Sequence, residues 1–119
     1  MTTLAVVVVA ATVAINAFSG VAALLHWQPI LPGMAKAGVP ESWLSFPIGT
    51  LKTAGAIGLL AGLLGQLPVL VAAAAIGLVL FFVCALYTHV RAADYTAQFA
   101  LAVFFLGMAC ASLVLTLAA

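Results

Sequence analysis

The stretch VLVAAAAIGLVLFFVCALY, residues 69–87, decides the fold class of this chain. It contains no charged side chain and no regular alternation of apolar with polar residues. A helix needs about 20 mostly apolar residues to cross a bilayer, and only helices and closed barrels satisfy their backbone hydrogen bonds in lipid. Because barrel strands alternate with a period of two, residues 69–87 are predicted to form a transmembrane helix.

The composition extends this prediction to the whole chain. Of 119 residues, 68% are hydrophobic and 4% are charged, and the mean hydropathy is +1.42. Such a chain has too few polar side chains to cover a water-soluble domain. Further spans are predicted at about residues 4–25, 46–64 and 97–117. We therefore predict an all-α integral membrane four-helix bundle, antiparallel and forming a single domain over residues 1–119.

The net charge and the first apolar run allow two further expectations about this membrane protein. A net charge of +1 is too small for a surface that tracks phosphates, which argues against nucleic acid. The first apolar run has no preceding Lys or Arg and is longer than a signal-peptide core of about 7 to 15 residues. We expect it to be a retained span. Because neither end resembles a lipidation motif, we expect the spans themselves to hold the protein in the membrane.

Four antiparallel spans place all of the charge on one membrane face. The segments 26–46 and 88–96 lie on that face, together with the start of the second span. They contain every charged side chain and both histidines, namely Lys36, Glu41, Lys52, Arg91, Asp94, His26 and His89. Because Lys and Arg mark cytoplasmic loops, this face is predicted to be cytoplasmic and both termini to lie outside.

The second span carries a stripe of glycines. Gly55, Gly58, Gly62 and Gly65 fall within about 80° of one helix face. Each costs about 1 kcal/mol relative to Ala inside a helix in water, and small residues let membrane helices approach closely. The stripe therefore predicts helix packing, with a ligand groove as the alternative. Two further close-contact patches are predicted, Gly20 with Ala23 and Gly107 with Ala111.

Three ionisable residues are candidates for catalysis: Lys52, His89 and Glu41. Lys52 lies about 7 to 8 Å inside its span, so it either extends to the interface or faces the bundle and meets an acid or a bound anion. His89 ends the third span, where it either interacts with the helix dipole or transfers a proton. Glu41 either caps a helix, pairs with Lys36 or moves a proton.

Four residues are candidates for ligand binding. Arg91 and Asp94 follow the third span as solvated loop residues, with lipid phosphate as the alternative partner of Arg91. Asn16 lies about 14 Å inside the first span. Its amide is expected to bond to another helix, worth about 0.6 kcal/mol, or to contact a ligand in a lipophilic pocket. Trp43 lies in the loop before the second span.

The cysteines and histidines predict neither a disulfide nor a metal site. Cys84 and Cys110 differ in predicted depth by about 10 to 12 Å, whereas a disulfide needs Cα atoms within about 7 Å. His26 with His89 lacks the carboxylate and third ligand of a metal site, and haem would need both imidazoles on facing helices. The cofactor, if there is one, stays unknown.

Two segments carry a resemblance to a known family. GVPESWLSFPIGTLKTAGAIGLLAGL, residues 38–63, and THVRAADY, residues 88–95, resemble the DoxX-like family of small bacterial membrane proteins. The shared features are a Gly-x-Pro-x-Ser-Trp element, a glycine-rich second helix with its Lys, and a third helix that ends in Thr-His-x-Arg. The resemblance implies a four-helix bundle in the bacterial cytoplasmic membrane. The name of the family comes from a subunit linked to quinone-coupled oxidation of sulfur compounds, and some relatives are associated with oxidative-stress systems. Most members have no assigned reaction, so the resemblance implies little about activity.

Three hypotheses for function remain open at this point. The chain binds a lipophilic molecule or quinone, or supports a partner oxidoreductase, between its helices. Alternatively it is an intramembrane isomerase or ring-opening hydrolase in which His89 or Glu41 moves a proton and Lys52 stabilises an anion. In the third hypothesis it is an assembly subunit or homo-oligomer held by its glycine faces, bound to a partner membrane protein or to itself.

Overall fold

The computed structural model describes residues 1–118, and all regular structure within them is helical. Four long helices and one short helix make up most of the chain. They are α1 (Thr3–Leu24), α2 (Leu31–Lys36), α3 (Thr50–Leu64), α4 (Pro68–Arg91) and α5 (Ala97–Ala118). Short 3₁₀ turns at Gln28–Ile30 and Glu41–Leu44 and a π-type turn at Ser45–Gly49 join α1 to α3.

Four segments are long and apolar enough to cross a membrane. They are α1, α4, α5 and the stretch Glu41–Leu64 that contains α3. The prediction of an all-α, four-helix integral membrane bundle is therefore confirmed. Phe46 interrupts the stretch with an extended backbone (φ −146°, ψ 133°), which is the conformation favoured before a proline.

The third span is longer than its apolar run indicates. It was expected to end near Tyr87, whereas α4 continues to Arg91. The length of an apolar run matches the thickness of the hydrocarbon core of the membrane. The helix itself continues beyond that run until its last carbonyl groups find other hydrogen-bond partners. The helix therefore includes Arg91, which was expected in a loop, as well as His89, which was expected at the helix end.

The four long helices form a closed ring of contacts. α1 packs against α3 and α5, and α4 also packs against α3 and α5. The buried centre consists of Val9, Leu59, Val71, Ala75, Leu78, Phe82 and Ala109. Large apolar side chains such as Leu64 and Val69 point outward, where lipid surrounds a membrane bundle.

Three glycines of the predicted stripe bring α3 and α4 together. A Cβ added to Gly55 would lie 2.5 Å from the Leu78 side chain, and one added to Gly62 would lie 2.7 Å from Val71 Cγ2. Gly58 also faces α4. At Gly55 the Leu78 side chain would have to shift, whereas at Gly62 an added Cβ would also lie 2.8 Å from the backbone nitrogen of Val71, so glycine is required there for the two helices to approach this closely.

The other glycines divide between packed and open positions. Gly20 packs against the backbone nitrogen of Thr53, at 2.9 Å from an added Cβ, so α1 approaches α3 closely there. Gly65 does not join the stripe contact, because α3 has already ended and the nearest atoms belong to its own turn. The predicted close contact at Gly107 is also wrong, since an added Cβ would meet nothing within 4 Å.

The end of α4 determines where the next polar residue lies. Ala93 has a left-handed backbone (φ 53°), its N–H donates to the Val90 carbonyl, and the Asp94 N–H donates to the His89 carbonyl at 2.8 Å. This pair of bonds is a Schellman motif. It turns the chain back against the helix, so Asp94 returns to the level of His89.

Candidate functional site

A cavity of about 430 Å³ opens between the helices at the end of the bundle that carries the charged residues. All four long helices, α2 and the segment before α3 contribute to its wall. Most of the wall is apolar and includes Trp43, Phe81, Phe82, Leu101 and Phe105. The polar side chains in the wall are Ser19, Lys52, Thr88, His89 and Gln98.

The Lys52 ammonium lies where the four long helices converge. Its Nζ donates a hydrogen bond to Ser19 Oγ on α1 at 2.8 Å. It also lies 5.8 Å and 5.6 Å from the ring centroids of Phe81 and Phe82 on α4, and 5.5 Å from that of Phe105 on α5. These distances are within the range of cation–π attraction. Lys52 therefore faces the bundle, but it does not meet an acid there, because neither Glu41 nor Asp94 forms an ion pair with it.

His89 and Asp94 form a buried pair. Each is only 5% exposed, and His89 Nδ1 lies 3.0 Å from Asp94 Oδ2. The Thr96 N–H donates to Asp94 Oδ1 at 3.3 Å. Hydrogen bonding to Thr96 lowers the pKa of Asp94 below its ordinary value, and the bond with His89 lowers it further, although burial acts in the opposite direction.

The pair has a defined proton arrangement. An ionised carboxylate only accepts hydrogen bonds, so Nδ1 of His89 is the donor to Asp94, and Nε2 is the ring nitrogen that is not used in this pair. Asp94 was expected to be a solvated loop residue, and that expectation is wrong. The Schellman turn after α4 carries it back into the bundle instead.

Lys52 and His89 line the same cavity at different depths. The ammonium of Lys52 lies at the level of Phe82, and from Phe82 to His89 the helix rises about 10 Å toward its end. Lys52 is therefore the inner polar group of the cavity, and His89 lies nearer its mouth.

The remaining candidates for binding and catalysis are placed differently. Trp43 lines the cavity. Glu41 lies outside the cavity wall, where its Oε2 is 3.7 Å from His26 Nδ1, and it contacts His26 rather than Lys36. The Arg91 guanidinium is exposed and lies 6.0 Å from the Tyr87 ring centroid.

Asn16 is fully buried but lies outside the cavity wall. The expectation that its amide bonds to another helix is wrong, because Nδ2 donates to the Thr12 carbonyl of its own helix at 3.0 Å. The polar contact between helices is made instead by Thr12 Oγ1 and Ser112 Oγ, 2.9 Å apart. Asn16 Oδ1 has no hydrogen-bond partner among the described residues.

Sequence reasoning did not select Ser19, Thr88, Gln98 or Cys84 as site residues. The sequence does show a hydroxyl or amide side chain inside or beside an apolar span at three of these positions. Whether such a side chain points into the bundle depends on the rotation of its helix, which the sequence does not give. Both thiols are free, and only that of Cys84 belongs to the cavity wall. Residues 1–118 contain no group of three or more His, Cys, Asp or Glu placed to hold a metal ion.

Four membrane-crossing helices around an apolar cavity with a few polar groups define a multi-pass membrane protein with a candidate small-molecule site. The model of the DoxX-like family matches residues 7–112, and the chain belongs to the DoxX-like family. Comparisons with curated proteins and with solved structures give no match.

Proposed function

We propose that this protein binds a lipophilic small molecule in the cavity between its helices. The observation that carries the proposal is the cavity itself, about 430 Å³ in volume and mostly apolar. This volume lies within the range of about 300 to 1,000 Å³ for ligand pockets, which combine apolar walls with a few placed polar groups. Lys52, His89 and Gln98 are the polar groups that would orient the ligand.

The proposed location is the bacterial cytoplasmic membrane. The resemblance of residues 38–63 and 88–95 to bacterial proteins of the family supports this location. With Lys36, Lys52 and Arg91 on the cytoplasmic face, the mouth of the cavity near His89 would open toward the cytoplasmic leaflet.

A quinone is one ligand of the proposed class. It combines an apolar body with carbonyl oxygens that accept hydrogen bonds, and Lys52 is a donor in the cavity wall. In this version of the proposal a partner oxidoreductase in the membrane exchanges electrons with the bound quinone, and the DoxX-like chain supplies the binding site.

The glycine contacts favour a ligand site over a pure assembly subunit. Gly55, Gly58 and Gly62 face α4 of the same chain. A glycine face that is covered within the chain is not available to a second copy. The glycine stripe, which suggested assembly, is therefore explained by the packing of α3 against α4.

Retention of a lipophile during purification tests the proposal. Gly77 lines the cavity and Gly107 does not, and an added Cβ meets nothing within 4 Å at either position. Gly77→Leu should therefore narrow the cavity, and Gly107→Leu is its matched control. We expect mass spectrometry to find a lipophilic molecule on the wild type and on Gly107→Leu, and much less of it on Gly77→Leu. An empty wild type, or equal retention by all three, contradicts the proposal.

Thiol alkylation gives an independent measurement. In Cys110→Ser the remaining thiol, Cys84, lies in the cavity wall, and in Cys84→Ser the remaining thiol, Cys110, lies outside it. Adding the retained lipophile should slow alkylation of Cys84 and leave that of Cys110 unchanged. Equal protection of both thiols would indicate nonspecific partitioning.

The His89–Asp94 pair favours one alternative function, that of an intramembrane isomerase or ring-opening hydrolase. Asp94 orients the imidazole, and Nε2 of His89 would take or give the proton. Lys52 lies deeper and would hold an oxygen that becomes negative. In this case His89→Ala and Lys52→Ala should abolish conversion of the retained lipophile while the protein stays folded. Conversion that survives both substitutions excludes this mechanism.

A further inference from the structure

We infer that the ligand of this cavity is a lipophilic anion whose charged oxygen binds the Lys52 ammonium while its apolar part fills the rest of the space. This inference rests on the proposed function and adds a ligand class to it. It sets the ligand apart from a neutral quinone or sterol.

The first argument is that the acidic side chains of the protein are engaged elsewhere. The chain has only two, Glu41 and Asp94. Glu41 lies beside His26, and Asp94 is paired with His89 and hydrogen-bonded to the Thr96 N–H. Neither carboxylate lies within 4.0 Å of Lys52 Nζ.

The second argument is the chemistry around the ammonium. It has three N–H donors, and Ser19 Oγ accepts one of them. The rings of Phe81, Phe82 and Phe105 provide a weak attraction for the cation but no counter-charge. A cation inside a membrane protein is costly unless an anion or a polar group compensates it. A ligand oxygen with a negative charge would supply both the counter-charge and an acceptor.

The third argument is the distribution of polarity along the cavity. Lys52 is the inner polar group. Much of the wall consists of aromatic side chains and of leucines such as Leu80 and Leu101. A molecule with one anionic end and one apolar end matches this arrangement. A molecule that is charged along its length would leave part of its charge against apolar wall.

The two tryptophans provide a direct test. Trp43 lines the cavity and Trp27 does not, so Trp27→Phe leaves a single reporter in the site and Trp43→Phe leaves one outside it. The protein in detergent is titrated with a mid-chain brominated fatty acid, which quenches nearby tryptophan, and with its methyl ester. We expect saturable quenching of Trp43 by the acid at a concentration at least about tenfold lower than by the ester, a difference of about 1.4 kcal/mol. Trp27 should show only non-saturable quenching.

Substitution of the lysine completes the experiment. In the Trp27→Phe background, Lys52→Gln should remove the preference for the acid over the ester, whereas Lys52→Arg should retain it. Circular dichroism verifies that each variant is folded. If Lys52→Gln does not fold, the comparison of acid with ester on the unsubstituted lysine, together with Lys52→Arg, still decides the question.

The outcomes separate this inference from the proposed function. Equal saturable quenching of Trp43 by acid and ester overturns the inference but leaves a lipophile-binding cavity. A preference for the acid that persists in folded Lys52→Gln also overturns it, because the anion is then recognised elsewhere. If neither compound quenches Trp43 saturably and no lipophile is retained on purification, the inference and the proposed function both fail.

Discussion

His89 Nδ1 and Asp94 Oδ2 lie 3.0 Å apart, although the end of a helix separates the two residues in the sequence. The Schellman motif at Ala93 explains this contact, because it reverses the chain immediately after α4. The backbone and the side chain of Asp94 both bond to His89. The geometry of the helix end therefore creates the buried pair at the mouth of the cavity.

Removal of the Asp94 carboxylate should destabilise the bundle. Asp94→Ala leaves the buried His89 Nδ1 without its partner, and a buried polar group that loses its partner is unfavourable. We expect a lower thermal midpoint by circular dichroism in detergent. Arg91→Ala, at an exposed neighbour, is the control and should change the stability by less than about 0.5 kcal/mol. Equal midpoints for the two variants would contradict a stabilising role of the pair.

The same carboxylate should make stability depend on acid pH. Hydrogen bonding to Thr96 and His89 lowers the pKa of Asp94 from its ordinary value of 3.8, so folding favours the ionised form. This contribution is present above the ordinary value and is lost as the pH falls through the lowered pKa of the folded state. We expect the thermal midpoint of the wild type to fall more steeply below about pH 4 than that of Asp94→Asn. Parallel profiles would mean that the carboxylate has the same pKa when unfolded.

Gly62→Leu should prevent folding, whereas Leu60→Ala should be tolerated. A Cβ at Gly62 would lie 2.8 Å from the backbone nitrogen of Val71, which cannot move independently of α4. Overpacking typically costs about 1 to 3 kcal/mol, and a leucine against a neighbouring backbone should exceed that range. Leu60 is on the outer surface. Size-exclusion chromatography should give a folded peak for Leu60→Ala and aggregate for Gly62→Leu; a folded Gly62→Leu would rule out the tight contact.

Asn16→Leu should be neutral or stabilising by up to about 1 kcal/mol, because it removes a buried amide oxygen that has no partner. Ser112→Ala should instead be destabilising by about 0.6 kcal/mol, the average worth of a hydrogen bond between membrane helices, because it removes the contact with Thr12. Unfolding equilibria in mixed micelles measure whether each substitution raises or lowers the free energy of unfolding. A large loss of stability in Asn16→Leu would show that the amide oxygen has a partner such as bound water.

The orientation in the membrane is tested with reporters at the termini. Lys36 and Arg91 predict a cytoplasmic location for the face that carries the charges, and both termini then lie outside. A reporter active only in the cytoplasm should be inactive at the C-terminus and active when inserted after Ala92. Activity at the C-terminus would reverse the orientation.

Much of the architecture follows from local properties of the sequence. Long apolar runs predict helices wherever they occur, because backbone groups in lipid must bond within the segment. The glycine spacing predicts that one face of α3 is packed, and Gly55 and Gly62 contact α4 as expected. The antiparallel order follows from the number of spans, and the single charged face follows from that order together with the positions of the charged residues in the sequence. The end of one helix was predicted less accurately: α4 continues to Arg91 instead of ending near Tyr87, and the left-handed residue of its closing turn is Ala93, where glycine is usual.

The sequence by itself determined that this chain is an all-helical membrane bundle with its charges at one end, because hydrophobic length and charge order need no knowledge of neighbouring helices. Only the tertiary structure decided that Lys52 faces Ser19 and three aromatic rings, that Asp94 is buried against His89, and that Asn16 bonds within its own helix. A side chain's partners depend on the rotation of each helix about its axis and on the turn that ends it. The rotation of each helix, and the burial of the turn that follows it, result from the packing of the whole bundle, so no single segment specifies them.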